Sequence, residues 1–269
     1  MSTVSRSALH LLSAHIWQGH EMARSGADGQ TWSTGHAALD AALPGGGWPV
    51  CGLVELLASR PGQFVWRLLA PGLSQLLAQK AGPLVLVGAP FEPFSPSLQA
   101  RGLPPGRLLC VQTPQAPVRQ WADTLQAQQW ADTLQARLWA AQQALQCAAV
   151  VAVLLWLEPP VRTASGYKTL PSNNLSLDLR RLHLIAQTRH KPLFVMRPEA
   201  ARQEASAAPL RLSLRDLAAD AHSQFEVDVF KRRGCPLAQP LSLAAQPEQL
   251  AALLVASARL KLQREAEMA

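Results

Sequence analysis

Apolar residues recur at helical spacing near the start of the chain, at Ala8, Leu11, Leu12, Ile16 and Trp17, predicting a short amphipathic helix from Ser7 to about Trp17 that ends near Gly19. A polar linker follows from Arg24 to Ser33. The pattern then changes. Gly52 to Ala58 is an apolar run with Glu55 inside it, bounded by glycine and proline, and it reads as a buried strand followed by a loop and a helix from about Phe64 to Lys80. Further strands are predicted at Leu84 to Val87, Leu108 to Gln112, Val150 to Trp156 and Leu193 to Met196. Between them lie a Pro-rich helix or turn region to Leu103, a long helix from about Val118 to Gln146, a polar loop from Glu158 to Asn174, and a basic helix around Leu175 to Thr188. Strands that alternate with helices need crossover connections, so the expected fold is α/β with a mostly parallel central sheet flanked by helices. Leu210 to Leu214 and Phe225 to Phe230 alternate as half-buried strands do, and Pro247 to Arg264 closes with a helical pattern whose far end carries Arg259, Lys261 and Arg264. The expected organisation is an N-terminal helix and linker over 1–32, a core over 33–246 and a helical tail over 247–269.

One stretch breaks the ordinary pattern. QWADTLQAQ at Gln120 to Gln128 is followed at once by QWADTLQAR, a nine-residue tandem duplication too short for a solenoid repeat. Nine residues at roughly 100° each turn a helix by about half a turn beyond whole turns, so Trp121 and Trp130 cannot both face one core. The upstream copy reads as a lengthened, partly exposed helical start.

At 269 residues and 48% hydrophobic, the chain can bury one substantial core, and one domain with a tail fits better than two domains. Its net charge of +7 suits an anionic partner such as nucleic acid or an acidic protein face. Cys51, Cys110, Cys147 and Cys235 form no CxxC pair, so neither a zinc site nor a disulfide framework is indicated, and buried, reduced thiols are expected. His10, His15 and His20 interrupt the early apolar residues, so the start does not read as a signal peptide. No stretch reaches the roughly 18 apolar residues that a membrane span needs. A soluble, cytoplasmic protein is the expectation.

The most specific segment is STGHAALDAALPGGGWPVCGLVELL, Ser33 to Leu57, where a Thr-Gly turn, a Leu-Asp pair, a Gly-rich loop and a strand with an internal Glu follow at fixed spacing. By themselves, Thr34 and Asp40 read equally as a helix cap and a solvated helix residue, and the glycine triplet as a flexible loop. Taken in order, the segment resembles the approach to the ATPase core of RecA, and more closely that of the ImuA family of RecA-like proteins associated with mutagenic translesion synthesis. The ImuA resemblance extends to HIWQGHE at His15 to Glu21, LWAAQQAL at Leu138 to Leu145, LRRLHLIAQ at Leu179 to Gln187, the MRP of Met196 to Pro198 and KRRG at Lys231 to Gly234. It covers nearly the whole chain and implies a RecA-like P-loop NTPase fold.

That resemblance also shows what is missing. A phosphate-binding loop needs glycines for close backbone approach, a Lys for the phosphate charge, and a Ser or Thr to hold magnesium. After the Gly52 to Ala58 strand this chain has Ser59-Arg60-Pro61-Gly62-Gln63-Phe64-Val65, with Gln63 where the Lys belongs and Phe64 where the hydroxyl belongs. Pro61 removes a further donor. The strand Val150 to Trp156 ends in Leu157 with no Asp to orient a metal, and Pro90 stands at the position of RecA's water-activating Glu, with Glu92 two residues on. The degenerate loop of Arg60, Gly62, Gln63 and Phe64 implies no hydrolysis and no cofactor, although Arg60 beside a helix N-terminus leaves anion binding open. His183 and His190 have no carboxylate or Cys at ligand spacing and read as surface or half-buried residues rather than metal ligands.

Binding surfaces remain. Arg180 and Arg181 on one helix, with Lys231, Arg232 and Arg233 at the end of a strand, are the densest basic clusters and the candidate contacts for DNA or a partner. Leu11, Leu12, Ile16 and Trp17 form the candidate partner helix. The resemblance implies a non-enzymatic adaptor of the bacterial SOS response. Its implied partners are an ImuB-like Y-family polymerase homologue, an error-prone replicative-type DNA polymerase and RecA, with single-stranded DNA as a further ligand. Two alternatives stand beside it: a DNA-dependent ATPase or recombinase with an unorthodox loop, and a SulA-like inhibitor of cell division.

Overall fold

The computed structural model describes residues 30–60, 62, 64–112, 123–157, 175–216, 224–234 and 237–244, with 123–131 described as backbone only. Strand β1 (Thr31–Trp32) pairs antiparallel with β2 (Trp48–Pro49), so the linker read from Arg24 to Ser33 ends in a strand. The glycine triplet closes this pair. Gly45 and Gly46 have φ of +80° and +78°, and a Cβ on Gly47 would lie 2.1 Å from the Trp32 carbonyl oxygen. Helix α1 (Ala37–Ala42) lies between the two strands in sequence.

The main sheet has eight strands. In chain order they are β3 (Gly52–Ala58), β4 (Leu84–Val87), β5 (Leu108–Val111), β6 (Ala152–Trp156), β7 (Pro192–Pro198), β8 (Leu210–Asp216), β9 (Gln224–Lys231) and β10 (Leu241–Ala244). Their spatial order is β10-β9-β8-β3-β7-β6-β4-β5. The six from β8 to β5 run parallel, while β9 and β10 are antiparallel additions at one edge. Helices α2 (Val65–Gln79), α3 (Ser95–Ala100), α4 (Asp123–Gln146) and α5 (Leu175–Thr188) supply the connections. This is an α/β protein with a mostly parallel mixed sheet flanked by helices.

Burial on both faces explains why the central strands read as continuous apolar runs rather than alternating ones. One face packs Val54, Leu56, Phe194 and Met196 against α1 and α2. Trp32 and Trp48 meet Phe194 edge-on there, at 6.3 and 5.4 Å between centroids. The other face packs Leu53, Val153 and Val195 against α4 and α5. Arg107 fastens the end of α2, donating to the carbonyls of Leu77 at 2.6 Å and Lys80 at 2.5 Å.

Two expectations need correction. Residues Leu210 to Leu214 are buried throughout rather than half-buried, because residues 199–208 cover the polar side of β8. The thiols are free, as expected, but Cys51 is half-buried and Cys110 and Cys147 are exposed; Cys235 lies outside the described residues. Among the described residues no helix is long and apolar enough to cross a membrane. The candidate partner helix with Leu11, Leu12, Ile16 and Trp17, the side chains of Trp121 and Trp130, and the tail from 247 also lie outside them.

Candidate functional site

The central strand β3 leads through a turn directly into the N-terminus of α2, which is the strand–loop–helix layout of a phosphate-binding loop. Ser59 and Arg60 are exposed, Gly62 has φ +69°, and Pro61 and Gln63 lie outside the described residues. A Cβ on Gly62 would sit 3.3 Å from Cγ of Pro90, so the turn packs against the segment after β4. Phe64 precedes α2 at φ +58°, a left-handed conformation that disfavours side chains larger than glycine. Its compensation is burial. The ring stacks on Phe225 at 5.2 Å between centroids and 8° between planes, and the Arg67 guanidinium lies 5.2 Å from its centre. Phe64 is thus an inward-facing hydrophobic anchor.

A buried arginine stands at the ends of β4 and β6. Arg137, the last residue of the duplicated segment, is buried, and its Nη1 donates to the Trp156 carbonyl at 3.0 Å. A Cβ on Gly88 would lie 2.4 Å from Nε of Arg137, which is why glycine stands there at φ +65°. The Arg137 side chain therefore fills the space beside the carboxyl ends of β4 and β6. Nothing in the apolar pattern of the helix marks Arg137 as a buried residue.

No protein-family model matches the chain, and no curated protein matches it.

The Ser-Thr-Gly turn is a structural joint. Ser33 Oγ donates to Asp40 Oδ2 at 2.6 Å and the Thr34 amide to Oδ1 at 2.7 Å, so Asp40 ties the turn to α1. Burial is the largest single influence on Asp40 and pushes its carboxyl up, but the hydrogen bonds from Ser33 and Thr34 together hold it below the usual carboxylate value. The cap of α1 is His36, without a side-chain bond, so Thr34 is not the cap residue. Gly35 allows the joint to touch α2, since a Cβ there would lie 2.3 Å from Cβ of Pro71.

Sequence reasoning notes Glu55 but not its partners. Glu55 is wholly buried, and Arg211 Nε on the neighbouring β8 lies 2.6 Å from its Oε2. Arg197 on β7, the other neighbour, approaches Oε1 at 3.5 Å, and Ser206 Oγ donates to Oε1 at 2.6 Å. Arg211 also donates to the carbonyls of Ala201, Arg202 and Glu204, and Arg197 pairs with Glu204. This network staples residues 199–208 across the sheet.

The basic clusters are rearranged relative to their appearance in sequence. Pairing of β8 with β9 shifts between Arg211 and Ser213, where the partners of these two residues are Lys231 and Asp228. The extra residue of this bulge changes which face the strand end presents. Lys231 turns to the Glu55 side and donates from Nζ to the Ser206 carbonyl at 2.8 Å, whereas Arg232 reaches the opposite side and donates to the Ala42 carbonyl. Arg180 and Arg181 are both exposed on α5, but at successive positions they stand about 100° apart around the helix. The five residues thus do not form one patch. Lys231 also lies away from Arg60, since Ala58 is at the carboxyl ends of the parallel strands and Lys231 is level with Arg211 nearer their amino ends.

Proposed function

We propose that this chain is a RecA-like adaptor without nucleotide hydrolysis that serves error-prone translesion synthesis in bacteria. The observation that carries the non-catalytic reading is Phe64, stacked on Phe225 in the core at the position where the resemblance places a magnesium-binding hydroxyl. The end of β6, which runs into Leu157 and has its Trp156 carbonyl bonded by Arg137, supports the same reading. The lesion-bypass role rests on the ordered resemblance to the ImuA family, from HIWQGHE through STGHAALDAALPGGG to KRRG. The α/β sheet, whose central strand runs through a glycine turn into a helix, is compatible with a RecA-like P-loop fold. Its partners on this reading are an ImuB-like polymerase homologue, an error-prone replicative-type polymerase and RecA, with single-stranded DNA as a further ligand.

The test is a pull-down of the purified full chain against RecA and a translesion polymerase complex, with ATP turnover followed in parallel with and without single-stranded DNA. Partner capture with no turnover is the expected result. DNA-stimulated hydrolysis would reject the non-catalytic reading, and failure to capture any of these partners would reject the adaptor role.

A further inference from the structure

Most leucines of α5 face the sheet, but Leu177 and Leu184 face away from it, 63% and 53% exposed. They stand about two turns apart with Arg181 between them, so all three share one outward stripe. Trp139, 64% exposed, belongs to α4, which packs beside α5 over the same face of the sheet. Both helices lead into parallel strands, β6 and β7, and so end at the same end of the sheet. Trp139 precedes the end of α4 at Gln146 by as many residues as Arg181 precedes the end of α5 at Thr188, which sets the indole level with the middle of the leucine stripe. An apolar strip across two adjoining helices is the kind of surface that an amphipathic helix covers.

The described residues start near the foot of this strip. The Gln30 carbonyl accepts the Val50 amide at 2.9 Å, and shortly after Val50 the chain enters β3 against α5. There a Cβ on Gly52 would lie 3.1 Å from Cε1 of His183 and 3.6 Å from Cγ of Gln187, and His183 Nδ1 accepts the Leu53 amide at 3.1 Å. Leu184 follows His183 directly and lies one turn from Gln187. The segment that precedes Gln30 carries a matching pattern. Leu9, Leu12 and Ile16 recur at spacings of three and four, as one apolar stripe whose ends are as far apart in sequence as Leu177 and Leu184. Residues 18–29 join this stripe to Gln30. Extended, they reach about 40 Å, against roughly 20 Å needed to pass around a helix of about 10–12 Å diameter.

We propose that residues 7–17 pack as a helix along the outer face of α5 in the same molecule, setting Leu9, Leu12 and Ile16 against Leu177, Leu184 and Trp139. The chain's own segment is the occupant because its connection to Gln30 holds it beside α5 at an effective concentration on the order of millimolar, which a second copy or a free partner has to exceed. Any protein that uses either apolar surface must first separate the two. The inference does not rest on the lesion-bypass reading, and no RecA, polymerase or DNA enters its test.

The experiment has two arms on the full chain. In the first, Leu12 is replaced by the photoreactive p-benzoylphenylalanine and the protein is irradiated over a range of dilutions. Cross-links mapped by mass spectrometry should fall on α5 between Leu177 and Leu184 or on Trp139, within one molecule and with a yield independent of dilution. Cross-links between molecules that fade on dilution would overturn the proposal in favour of a second copy, and cross-links confined to other surfaces, or none, would overturn it outright. In the second arm, hydrogen exchange of residues 7–17 is compared in wild type, Leu184→Asp and Phe91→Asp, the last at a phenylalanine exposed near the Gly62 turn. Loss of one leucine contact should speed exchange of the segment about tenfold in Leu184→Asp, while Phe91→Asp should match wild type. Unchanged exchange in Leu184→Asp, or equal acceleration in both variants, would overturn the assignment to α5.

Discussion

Glu55 shows how a single residue carries information that its own neighbourhood in sequence conceals. It sits opposite Val195 on β7 and Arg211 on β8, and its partners Arg197, Ser206 and Arg211 lie more than a hundred residues downstream. Their separation is why the internal Glu is visible as an oddity in an apolar strand while the network is not. Desolvating several charged groups is costly, and the balance depends on every partner being present. Glu55→Ala should therefore destabilise the fold by about 3–5 kcal/mol, read as a lower urea midpoint, because two buried guanidinium groups lose their carboxylate. Replacing Glu55, Arg197 and Arg211 together by apolar residues of similar volume should recover most of that loss; an equal or greater loss would show that the network contributes more than its mutual compensation. His183 gives a second prediction at this scale. Burial, then Arg233 and Lys231, hold its pKa below the ordinary 6.5. Above that value folded and unfolded chains both keep the ring neutral and full stability is present. As pH falls below it, the unfolded chain takes up a proton that the folded chain resists, so stability is lost until the lowered folded pKa is passed. His36, also lowered by burial, adds in the same direction. Unfolding midpoints measured from about pH 7.5 to about pH 5 should decline in wild type and decline less in His183→Gln. Parallel curves would mean that His183 is not the titrating group.

At the scale of elements, the strands are legible where burial imposes a continuous apolar run and turn residues bound it. Gly52–Ala58 and Leu84–Val87 coincide with their predicted limits, as does the helix Leu175–Thr188. The elements that escape are those that periodicity is too short to reveal: β1 and β2 have two residues each and β10 four. Their existence depends on contacts made elsewhere, such as Trp48 seated on Phe194 and Gly47 against the Trp32 carbonyl. The turn before α2 is a mixed case. The absence of Lys and hydroxyl can be read directly, but that Phe64 is an anchor becomes visible only with Phe225, which lies far along the chain on β9. Phe64→Ala should cost about 3–5 kcal/mol, far above the small effect expected of an exposed loop residue, and it should loosen the start of α2 in hydrogen exchange. A change within about 0.5 kcal/mol would show that the ring is not held.

For the whole molecule, the spatial order of the strands sets where the fold should be hardest to open. β3 lies between β8 and β7, receives helices on both faces and contains Glu55, so opening it exposes two hydrophobic clusters and unpairs the buried charges together. β5 and β10 end the sheet, and β5 carries Leu109 and Val111 exposed. Local opening is easiest where few apolar contacts and one unpaired edge combine, whereas the central strands open only with the global transition. Native-state hydrogen exchange should accordingly find the amides of β3, β6 and β7 exchanging last and those of β5 and β10 well before them. Glu55→Ala should lower protection across β3, β7 and β8 together, because the lost carboxylate is shared by all three strands. If protection instead fell only at the residues beside position 55, the network would be a local contact, and the two sides of the sheet would be held together by their apolar faces alone.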